Sequence, residues 1–144
     1  MIDRMKNTNK IPKIVSLVAF ILGSLDLLRG IMHTLLLEFS ATNIAGLDLT
    51  TSQAADLLRL MGSFGISNYI TGITLILLGW KARHLALILL GVIPAAYLIG
   101  GVATHLYSAG HTQTQANWGG IPMMLGYLAL STLTFLYGSW KSRS

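Results

Sequence analysis

The stretch "LALILLGVIPAAYLIGGVATHL", residues 85–106, decides the fold. Its 22 residues include no Asp, Glu, Lys or Arg. About 20 apolar residues in a helix cross the hydrocarbon core of a bilayer, at roughly 1.5 Å of rise each. The stretch is therefore read as a membrane-spanning helix. Three further apolar runs of similar length surround it, near residues 14–37, 57–80 and 118–140. Together the four runs use almost the whole chain of 144 residues, so a single membrane domain, 1–144, is expected.

Composition agrees. The chain is 53% hydrophobic and 10% charged, against about 25% charged in an ordinary soluble domain. So few charges cannot cover a water-soluble surface. The net charge of +5 is unevenly placed. Arg4, Lys6, Lys10 and Lys13 precede the first run, Lys81 and Arg83 lie between the second and third, and Lys141 and Arg143 follow the fourth. Four crossings put all of these on one side. The other side receives Glu38, Asp48 and Asp56, with Arg59 its one basic neighbour. This is the positive-inside pattern, which predicts both termini in the cytoplasm and the chain in the inner membrane. Basic ends of this kind meet anionic headgroups, so nucleic acid is not an expected partner.

The first run is read as an uncleaved anchor. It is too long for a signal peptide, carries Asp26, and has no small-residue cleavage site after it. The chain has no cysteine, which excludes thiol–disulfide chemistry and thiolate metal sites within it. Trp80, Trp118 and Trp140 stand at run ends, where interfacial anchors occur. Tyr69, Tyr97, Tyr107, Tyr127 and Tyr137 are scattered and read as packing residues. Thr50 and Gln53 fit a capping box that starts the second helix near Thr51. Pro94 predicts a kink and a carbonyl freed toward an internal pocket.

Small and polar residues recur in alternating steps of three and four. The first run has Ala19, Gly23, Asp26, Gly30, His33 and Leu37; the second has Met61, Gly65, Asn68, Gly72, Leu75 and Gly79. The third has Gly91, Pro94, Leu98, Gly101 and His105; the fourth has Gly119, Pro122, Gly126, Ala129, Leu133 and Leu136. Such seams mark helix faces that pack closely against neighbours. The expected fold is an all-α integral membrane four-helix bundle, antiparallel and up-down.

Polar residues fall on these seams, in "SLDLLRGIMHTLLLE" (residues 24–38) above all. Intramembrane ionisable groups normally face the bundle interior. Helical rise places Asp26 and Asn68 in a middle layer, and His33 and His105 in one layer nearer the outer face. Arg29 flanks the first seam, within i,i+3 of Asp26 and i,i+4 of His33. These five residues are the expected walls of a polar pocket for a small lipophilic or amphiphilic molecule, with Arg29 taking an acidic or carbonyl group. A purely structural Asp–Arg pair that fixes the bundle's register is the plainer account of the same residues. Glu38, Asp56, Arg59 and His111 form the expected outer rim or gate.

Two other classes compete. His33 and His105 on facing helices would suit axial ligation of haem in an electron carrier. With His111, Glu38 or Asp48 they would suit another metal. Alternatively the chain is a non-catalytic accessory or assembly subunit of a membrane complex. Its expected partners are the lipid bilayer, a small lipophilic ligand, and further copies of the chain or a larger complex. No nucleophile elbow, phosphate loop, His-Glu-x-x-His or carboxylate dyad supports an enzyme.

The layout of four short spans, a polar first helix and "GSFGISNYITG" (residues 62–72) resembles the DoxX-like group of small bacterial four-helix membrane proteins. The resemblance covers most of the chain at the level of architecture. It implies an integral membrane protein and assigns no site residue.

Overall fold

The computed structural model describes residues 11–110 and 120–143. The described chain is helical, with four helices long and apolar enough to cross a membrane. They are α1 (Lys13–Met32), α3 (Ala54–Lys81), α4 (Arg83–Ser108) and α5 (Ile121–Arg143). Between α1 and α3 lies a single short turn, α2 (Leu37–Phe39), which runs into a π-helical turn at Ser40–Ile44.

The first span is shorter than its hydropathy. The apolar run continues to Leu37, but α1 stops at Met32 with His33 as its C-cap. Thr34 shows why. Its hydroxyl donates to the Gly30 carbonyl at 2.8 Å and meets the Tyr69 hydroxyl at 2.9 Å. A local side-chain bond of this type offers the backbone an alternative to the helix. The π-turn then closes with Leu47 N–H on the Ala41 carbonyl, and Gly46 takes φ 65°, where glycine has no Cβ to clash.

The second span starts later than its capping signal. Asp48 takes Thr50 instead, through its N–H at 2.9 Å and its hydroxyl at 2.7 Å. The side chain that would cap the helix is used in an Asx turn. α3 therefore begins at Ala54, with Gln53 at its N-cap and no side-chain cap.

The most extensive pairing is α1 with α3, and glycines make it possible. Ser16 and Ala19 lie against Gly79, Gly23 against Gly72, Gly30 against the Tyr69 ring, and His33 against Gly65. A Cβ at Gly23 would stand 2.8 Å from the Gly72 carbonyl oxygen, and one at Gly72 would stand 2.7 Å from that of Gly23. Lipid gives helices no hydrophobic reason to associate, so contact this close supplies the packing energy. α4 packs on α5 by the same device, with Gly91 against Phe135 and Gly138 against Leu87.

Pro94 lies inside α4, which is continuous across it. Proline lacks an N–H, so the carbonyl four residues earlier loses its helical donor. That carbonyl belongs to Leu90, and the Ser131 hydroxyl of α5 donates to it at 2.8 Å. The freed acceptor is thus taken by the neighbouring helix, not turned toward a pocket as expected.

The core is concentrated at one end. Val15, Val18, Ala19, Leu22, Leu75, Ala86, Leu87 and Leu90 are buried together. At this end Arg83 ties the chain together, donating from Nε to Ser16 Oγ at 3.0 Å and from Nη1 to the Ile11 carbonyl at 2.9 Å. The other end is looser. Leu98, Ile99, Val102, Leu106 and Tyr107 of α4 are exposed, and a Cβ on Gly100, Gly101 or Gly126 would meet nothing within 4 Å. The seams of α4 and α5 are therefore in contact over only part of their length.

Candidate functional site

Asp26 is the buried charge of α1, 3% exposed. A carboxyl group removed from water needs donors. Tyr127 of α5 supplies one, its hydroxyl donating to Oδ2 at 2.8 Å. Arg29, one turn on, brings Nη1 to 3.8 Å from Oδ1. That is ion-pair range but beyond hydrogen-bond length.

Arg29 faces a cavity of about 560 Å³. Its polar lining includes Arg29, His33, Ser40, Asn68 and Tyr97. The volume is in the ordinary range for small-molecule sites. Asn68 Nδ2 stands 3.5 Å from His33 Nδ1, a long contact that ties the two across the α1–α3 pairing. Among the described residues, the Asp26 contact is the one ion pair of the Arg29 side chain, which makes no hydrogen bond there. A guanidinium has five N–H donors in a fixed fork. Those of Arg29 are left to whatever enters the cavity.

The five expected wall residues divide. Arg29, His33 and Asn68 line the cavity together. Asp26 is not among the lining residues and pairs with Arg29 while accepting from Tyr127. His105 is exposed on the loose half of α4 and is not among the lining residues. The equal depth expected for His33 and His105 does not bring the two to a common lumen. The layers shift as well. Gly72 lies against Gly23 and Leu27, and Tyr69 against Gly30. Asn68 is thus about one turn from the level of Asp26, on the side of His33, and reaches His33 instead.

The described members of the expected rim, Glu38, Asp56 and Arg59, stand apart from this lumen. Asp56 and Arg59 pair at 3.9 Å, with side chains 81% and 84% exposed. A pair so exposed is an ordinary surface contact worth little. Glu38 is exposed and contributes its backbone carbonyl to Thr42. None of the three lines the cavity. His111 lies outside the described residues. Among the described residues, no group of three or more His, Asp or Glu is placed to hold a metal ion.

Two functional residues escape the sequence reading. Tyr127 is the partner of the buried carboxyl, and one sign of it is available: it follows Gly126 on the fourth seam. Ser40 is fully buried in the cavity wall, and its Oγ has no hydrogen-bond partner among the described residues. A serine in a connecting segment gives no such sign.

Comparison with known protein families, with characterised proteins and with solved structures gives no match. The functional reading therefore rests on the geometry alone.

Proposed function

We propose that the protein is an antiparallel four-span bundle of the inner membrane, with both termini cytoplasmic, that binds a small lipophilic or amphiphilic molecule in the cavity beside Arg29. The succession of pairs from Ser16–Gly79 to His33–Gly65 supports antiparallel neighbours for α1 and α3. The basic residues at 81, 83, 141 and 143 support the orientation. A layout similar to that of the DoxX-like group fits the same reading. Since the chain has no cysteine, single cysteines at Ala82 and Asn43 report orientation cleanly. An impermeant maleimide should label position 43 from outside and spare position 82.

One observation carries the binding reading. Arg29 presents a guanidinium to a mostly apolar cavity and makes no hydrogen bond to the described residues. A half-buried guanidinium with unused donors gains by pairing with an acceptor. A ligand oxygen is the natural partner.

The test is native mass spectrometry of the detergent-solubilised protein. The wild type should carry a small-molecule adduct that Arg29→Ala lacks, with helicity unchanged by circular dichroism. If Arg29→Ala unfolds the bundle, or both proteins are free of adduct after mild extraction, Arg29 serves structure and the binding reading falls.

A further inference from the structure

The chemistry of the cavity wall says more about its occupant than its volume does. Four of the chain's six methionines, Met32, Met61, Met123 and Met124, line this one lumen. Methionine is unbranched and polarisable, and walls made of it adapt to flexible apolar partners. The same lining also carries polar groups. Arg29 has unused donors, and Ser40 Oγ is a buried hydroxyl without a partner among the described residues. A hydroxyl left so in a native interior calls for an explanation, and an absent ligand atom is one. Both groups donate, and an occupant must offer oxygen acceptors to both. An arginine fork matches the two oxygens of a carboxylate or phosphate.

The route is visible too. Phe64, Ile121 and Met123 line the cavity and are 58%, 48% and 48% exposed on the apolar outer surface of the helices. In a bilayer that surface faces acyl chains. A lateral route for the occupant would pass these apolar residues.

Resting on the ligand-binding reading above, we infer that the occupant is an anionic single-chain amphiphile drawn laterally from the bilayer. Its carboxylate or phosphate oxygens are held by Arg29 and Ser40, and its chain lies along Met32, Met61, Met123 and Met124. Asp26, held by Tyr127, positions the Arg29 guanidinium through their ion pair.

The experiment uses the full chain in nanodiscs with two photoreactive probes of equal length, a diazirine-bearing fatty acid and the matching fatty alcohol. Crosslinked peptides are then mapped. The acid should label the segments containing Met61–Phe64 and Ile121–Met124, and the alcohol should label them at least tenfold less. Arg29→Gln should cut acid labelling by roughly tenfold or more, the factor expected for a lost bond to a charged group. Ser40→Ala, a change that keeps Arg29 and its neighbours in place, should cut it about two- to tenfold. Competition by unlabelled fatty acid or by a monoacylglycerol phosphate then separates the carboxylate source from the phosphate source, and protection by either upholds the assignment. Protection by neither overturns it. Equal labelling by acid and alcohol, insensitive to both substitutions, overturns the anionic headgroup while leaving a lipophilic pocket. Failure of both probes to label cavity segments removes the pocket reading itself.

Discussion

Tyr127 of α5 donates its hydroxyl to the Asp26 carboxyl of α1 across 2.8 Å, joining the last span of the chain to the first. The bond is buried, and among the described residues no other side-chain hydrogen bond holds Asp26. Tyr127→Phe should destabilise the protein by about 1–3 kcal/mol, the cost of leaving a buried polar group short of its donor. In an Asp26→Ala background the same substitution should cost much less. Unfolding titrations of the four proteins in mixed detergent check this as a double-mutant cycle.

The glycines should divide by contact. Gly72→Ala drives a methyl group toward the Gly23 carbonyl, and such overpacking costs about 1–3 kcal/mol. Gly100→Ala and Gly126→Ala meet open space. These two should be neutral or stabilise by up to about 1 kcal/mol through helix propensity. Thermal midpoints in one detergent read the difference directly.

Ser131 and Pro94 should be coupled although their side chains need not touch. Ser131→Ala removes the donor of the Leu90 carbonyl, at a cost of about 1–2 kcal/mol. Pro94→Ala restores a backbone N–H for the same carbonyl. In that background Ser131→Ala should be close to neutral. Equal costs in both backgrounds would show that the serine acts through packing.

The Asp48 turn should respond to acid. The Thr50 hydroxyl, and then its backbone N–H, hold the Asp48 carboxyl below the usual aspartate range. A depressed carboxyl stabilises its turn above the ordinary pKa and loses that effect as pH falls through the lowered value. Amide exchange at Thr50 should therefore stay protected above the ordinary aspartate pKa and, as pH falls through the lowered value, become faster than the normal acid trend predicts. Thr50→Ala should move the Asp48 midpoint upward in an NMR titration.

How far the amino-acid sequence makes these features legible depends on what each residue has to meet. Four helices follow from hydropathy, because bilayer thickness fixes their length. The burial of Asp26 and the lumen-facing place of Asn68 follow from steps of three and four along one helix. His105 obeys the same rhythm and is exposed, since its stretch of α4 has no packed neighbour there among the described residues. Periodicity shows that a face is distinct, not that another helix reaches it. The end of α1 at Met32 is hidden because "TLLLE" stays apolar through the turn, and the Thr34 bonds that end the helix involve Tyr69 of a different span. Tyr127 is set apart from the other scattered tyrosines only by following Gly126. Its role depends on the rotation of α5 against α1, which neither segment encodes by itself. The Leu90 carbonyl is an intermediate case. Proline makes its release foreseeable, while its acceptance of Ser131 requires both helices.

Gly23 and Gly72 touch through backbone alone, and this limits how their contact can change over successive substitutions. Where a glycine faces a large ring, as Gly30 faces Tyr69, added bulk on one side can be answered by trimming the other. Between two glycines nothing is left to trim. Every first replacement at either position enlarges it, and no second replacement at its partner can restore the distance. The pair should accept changes only through displacement of a whole helix, which makes this crossing a mutationally rigid point between α1 and α3.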